Sequence, residues 1–68
     1  MNNKIFVEIH AMEHPRYAEG TSVGEPTELW IRTAIREMGY QTYNVRIFYD
    51  KMQFFWRFTA DLVDRRSR

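Results

Sequence analysis

The sequence predicts an α+β fold: a small β-α-β-β domain in which one helix packs on one face of a three-stranded sheet. Three observations predict it. Residues 43–50 and 52–60 alternate side-chain character at a period of two around a short polar break, as the arms of a β-hairpin do. Residues 26–38 carry apolar side chains at helical spacing and are followed by Gly39. Residues 4–10 alternate again, ahead of the helix.

In strand 4–10, Ile5, Val7 and Ile9 share one face, and Phe6, Glu8 and His10 share the other. The aliphatic set belongs to the core. Residues 11–25 show no sustained period and are punctuated by Pro15, Gly20 and Gly24, so they read as a long surface loop. Met12, Tyr17 and Val23 would tack that loop down, or the loop would contact a partner.

The helix is predicted over 26–38. Pro26 suits the first helical position, after a cap at Gly24 or Glu25, and Glu28 complements the N-terminal dipole. Thr27, Ile31, Ala34, Ile35 and Met38 form the inward stripe, with Trp30 on its border. Gly39 supplies a left-handed C-terminal residue, and Tyr40 stands where a Schellman end places its apolar contact. Leu29 falls off the stripe beside Arg32, Thr33 and Arg36; the long loop would cover it, or it would remain an anchor flanked by arginines.

A two-residue turn at Asp50-Lys51 pairs Tyr49 with Met52, Ile47 with Phe54, Val45 with Trp56 and Tyr43 with Phe58, all on the core side. The opposite side carries Phe48 and Phe55, with Arg46 across from Phe55 and Arg57 nearby, and Phe6 joins them from the first strand. The helical crossover makes the first two strands parallel. The third is the most apolar and takes the centre, giving the order 1-3-2, with the second strand central as the alternative. Residues 64–68 form a charged tail. The chain is one domain, without repeats or low-complexity tracts.

Composition narrows the function. At 68 residues without cysteine, there is neither a disulfide staple nor a thiolate metal site. No segment is long enough to span a membrane and Met1-Asn-Asn-Lys4 has no signal-peptide character, so a cytoplasmic protein is expected. The net charge of +1 does not by itself imply nucleic acid. It divides unevenly, at −2 over residues 1–34 and +3 over residues 35–68.

His10, Glu13 and His14 match the H-x-x-E-H string of inverzincin metalloproteases, but His10 ends a strand and Pro15 follows at once, so the helical context that zinc catalysis needs is missing. Glycines and hydroxyls form no phosphate loop or nucleophile constellation, no cofactor motif is present, and a domain this small offers little scaffold for an active site. No motif string assigns the chain to a family. The expectation is a non-enzymatic interaction module, a stand-alone regulator or inhibitor of the kind that phages and mobile elements encode.

One helix covers one face of the sheet, so Phe6, Phe48 and Phe55 with Arg46 and Arg57 are left on the other, where they would meet a larger protein, a complex or a second copy. Leu29, Arg32 and Arg36 make a second candidate patch. The alternative is a single-stranded nucleic-acid binder on the same sheet face, with bases stacked on the phenylalanines and arginines on phosphates.

Overall fold

The computed structural model describes residues 4–12 and 14–63. The tail 64–68 and Glu13 of the histidine string lie outside the described residues. The chain runs β1 (Ile5–His10), β2 (Tyr17–Ser22), α1 (Glu28–Glu37), β3 (Thr42–Asp50), β4 (Phe55–Leu62). The class is α+β, with one helix on one face of an antiparallel sheet.

The sheet has four strands in the order β1-β2-β4-β3, not three in the order 1-3-2. The additional strand, β2, lies in the segment expected to be a loop. Its inward residues are Ala18, Gly20 and Ser22, too small to leave an apolar alternation. For Gly20 the steric reason is direct: the Phe58 ring of β4 lies over it, and a Cβ there would overlap that ring and the Phe6 carbonyl. β2 pairs antiparallel with both β1 and β4, so no parallel crossover forms.

The helix begins two residues later than expected. Thr27 is the N-cap, its Oγ1 accepting from the Trp30 amide at 3.1 Å, and Pro26 is buried just outside the helix. A threonine hydroxyl satisfies an orphan amide that neither Gly24 nor Glu25 reaches here. At the other end Gly39 has φ 98°. Its amide donates to Arg36 O at 2.9 Å and the Tyr40 amide to Ile35 O at 3.3 Å, the paired bonds of a Schellman motif. Ile31 and Ile35 are fully buried, while Thr27 and Met38 are exposed.

In the β3–β4 hairpin, Ile47 pairs with Phe58 rather than Phe54 and Tyr49 with Trp56 rather than Met52, a shift of four residues along β4 from the expected register. Parity survives, so Trp56 and Phe58 still face inward. The turn is wider because Asp50 organises it. Asp50 Oδ1 accepts from the Met52 and Gln53 amides, and Asp50 O accepts from Phe54, which sits at φ 63°. A two-residue hairpin turn needs positive φ at its central positions, which Asp-Lys provides poorly. Met52 and Phe54, expected in the core, are therefore exposed at the tip.

A bulge at Asn44, φ 55°, sets two residues, Asn44 and Val45, against Ala60. It reverses the facing of the strand start, so Thr42 turns inward and Tyr43, expected inside, lies on the outer face across from Asp61.

The core is Ala18, Ile31, Ile35, Phe58, Ala60 and Leu62, with Ile5, Val7, Ile9, Tyr40, Val45 and Ile47 packed around it. A helix is about 10–12 Å across, whereas the outer strand axes of four strands stand roughly 14 Å apart. The edge aliphatics are accordingly only half-covered. Among the described residues, no helix is long and apolar enough to cross a membrane.

Candidate interaction face

The face opposite α1 is ordered by register into rows running β1, β2, β4, β3. One row is Phe6, Thr21, Arg57, Phe48; the next is Glu8, Glu19, Thr59, Arg46; the third is His10, Tyr17, Asp61, Tyr43. Continued past the end of β1, the same register places Lys4, Val23, Phe55 and Asp50 in line.

Phe6 is 75 % exposed and Phe48 47 %. β2 keeps them apart: Thr21 and Arg57 stand between, three strand spacings or roughly 14 Å. Phe55 sides with Phe6. Lys4, Phe6, Thr21, Ser22, Val23 and Phe55 line an open groove of about 370 Å³. Val23 is exposed there, and the exposed Met52 and Phe54 lie at the same end of the sheet, on the hairpin tip. None of the three is expected in the site from the sequence, which has Val23 tacking the loop down and Met52 and Phe54 as core residues of the hairpin. A hairpin loop opening on an aspartate was the available signal for the last two.

The arginines of this face are engaged. Arg57 Nε donates to Asp50 Oδ2 at 2.8 Å, and its guanidinium lies 5.3 Å from the Phe55 ring centre. That hydrogen bond is the main cause holding the Asp50 carboxyl below its ordinary pKa; the amides of Gln53 and Met52 and the charge of Arg57 add to it, against the opposing effect of burial. Arg46 faces Thr59, not Phe55 as expected; its Nε donates to Thr59 Oγ1 at 3.1 Å and its terminal nitrogen lies 3.6 Å from Asp61.

The second patch is divided in its roles. Leu29 is 70 % exposed, uncovered by the segment expected to shelter it, because that segment is tied into the sheet as β2. Arg32 pairs with Glu28 at 2.9 Å and donates to Thr42 O at 3.2 Å, pinning the helix to β3. Arg36 is exposed. It lines a small polar cleft of about 130 Å³ with Arg32, Tyr40, Gln41 and Thr42.

The histidine string does not assemble as spaced. His14 is exposed next to Pro15, while His10 points across the sheet to Glu19, with Nε2 3.1 Å from Oε2. Its ring stacks on Tyr17, centroids 4.4 Å apart and planes 7° from parallel. Comparison with protein-family models, curated proteins and solved structures gives no match.

Proposed function

We propose that this protein is a non-enzymatic interaction module, a regulator or inhibitor of the phage or mobile-element kind, that docks on a larger protein through the apolar end of its outer sheet face. The observation that carries this reading is the open groove between Phe6 and Phe55, extended by exposed Val23. Its chemistry suits one or two apolar side chains of a partner, with aromatic anchors of the type that dominate protein interfaces. Lys4, Arg57 and Asp50 form a mixed-charge rim, which favours a protein surface over a polyanion.

The arginine pairing argues against a phosphate backbone as ligand. Arg57 and Arg46 each face a carboxylate, and Glu8 and Glu19 add negative charge to the same face. A strand of nucleic acid would meet guanidiniums whose charge those carboxylates already offset in part.

The test is recovery of partners from host lysate by wild type and by Phe6→Asp/Phe55→Asp, followed by affinity measurement on the purified partner across a salt series. The reading expects one protein lost with the double variant and an affinity that changes little with salt. Recovery of the same partners by both chains would reject the groove. A steep salt dependence with nucleic acid in the eluate would favour the nucleic-acid alternative, and sedimentation showing a Phe6-dependent dimer would make the partner a second copy.

A further inference from the structure

Glu8 and Glu19 are direct cross-strand partners on the outer face of β1 and β2. Like charges in that relation destabilise a sheet. The register that the inward residues impose therefore brings two carboxylates together, and His10, diagonal to Glu19, joins them. Its Nε2 is 3.1 Å from Glu19 Oε2 and 3.8 Å from Glu8 Oε1, and one ligand atom from each of the three residues lies within 4.8 Å of the others.

We infer that Glu8, His10 and Glu19 form a binding site for a divalent first-row transition cation of the Zn²⁺ class. Ligand atoms about 2.0–2.2 Å from a shared cation stand roughly 3–3.6 Å apart at tetrahedral or octahedral angles. The His10–Glu19 pair already meets that spacing. Glu8, the most exposed of the three, needs only a side-chain rotation to complete it. The imidazole is held by its stack on Tyr17 and is mostly covered, so little rotamer freedom is lost on binding.

One imidazole nitrogen with two carboxylate oxygens suits a borderline cation, whereas Ca²⁺ and Mg²⁺ take all-oxygen shells. The ion would also replace the Glu8–Glu19 repulsion with two attractions, which ties binding to stability. Three protein ligands leave a coordination position open to water or to a donor from outside. This inference stands apart from the docking groove, which shares none of the three residues.

The experiment uses the full chain without an affinity tag, titrated with Zn²⁺ by calorimetry and by amide NMR. One ion per chain is expected, with the largest shifts on residues 8–10 and 17–19 of the unmutated protein. His10→Ala and Glu19→Gln should each weaken binding by about tenfold or more, while His14→Ala, at an exposed histidine outside the cluster, should stay within about twofold. Shifts centred elsewhere, or an equal loss in His14→Ala, would mean an adventitious ion only and overturn the site. So would affinity retained in both cluster variants. The wild-type shift map reads the site directly should a variant fail to fold.

Discussion

Alanine at Gly20 and alanine at Gly24 should move stability in opposite directions, although each adds the same methyl group. At Gly20 the new carbon would overlap the Phe58 ring and the Phe6 carbonyl oxygen. Neither can yield easily, since Phe58 is fully buried and the carbonyl belongs to the β1 backbone. Overpacking of a filled interior costs about 1–3 kcal/mol, and the stiffer unfolded chain returns only about 0.4–1 kcal/mol. The net loss of roughly 1–2 kcal/mol is a large share of a total that for a domain this size is on the order of 3–10 kcal/mol. At Gly24 nothing among the described residues lies within 4 Å of the added carbon and the backbone is not left-handed, so only the gain of about 0.4–1 kcal/mol remains.

Thermal unfolding followed by circular dichroism separates the two, at about 4–8 °C per kcal/mol for a chain of this length. Phe58→Leu should recover part of the Gly20→Ala loss, because the two sites touch and their effects cannot add independently. A Gly20→Ala protein that melts at or above wild type would refute the placement of Phe58 over β2, and with it the packing of the inner face.

Thr42→Val should stabilise the protein by about 1 kcal/mol in urea titration, because the Thr42 hydroxyl is buried without a hydrogen-bond partner and valine fills the same volume. Thr27→Ala should cost about 1 kcal/mol by removing the acceptor for the Trp30 amide, seen as a lower urea midpoint and reduced helicity. Asp50→Asn should lower stability at neutral pH by a margin that vanishes in acid. The folded carboxyl titrates below its unfolded value, so its contribution is complete above about pH 4 and is lost as pH falls through the folded value. Urea midpoints of the two proteins should therefore converge on acidification.

The legible parts of the fold were those written in large side chains or in special backbone residues. Gly39 and Tyr40 announced the helix end, and the alternation of Trp56 and Phe58 gave the facing of β4. Alternation reports the side of a sheet but not the neighbour, and this is why Phe6, Phe48 and Phe55 could be assigned one face while the separation of Phe6 from Phe48 by Thr21 and Arg57 could not be seen. β2 was illegible because its inward side is Ala18, Gly20 and Ser22, side chains too small to show an apolar alternation, with Gly20 required by the Phe58 ring opposite it. The wide turn after Asp50 depends on local hydrogen bonds of one side chain that compete with the ladder, and the bulge at Asn44 on a left-handed residue whose side-chain amide donates across the strands to Asp61, a partner that only the assembled sheet supplies.

The concealed strand also decides the surface chemistry. A sheet without β2 would set Phe6 beside the β4 residues Phe55 and Arg57 as a single aromatic and basic patch. Interposed, β2 lays Tyr17, Glu19 and Thr21 between β1 and β4, and the face divides into an apolar groove at one end and a histidine–carboxylate cluster toward the other. The division follows from steric demand on the far side: the Phe58 ring requires glycine at position 20, glycine sets the phase of the strand, and the phase turns Glu19 outward to meet Glu8. Substitutions at the outward positions of β2 can therefore retune the surface with little effect on packing, whereas those at its inward positions act on the core first.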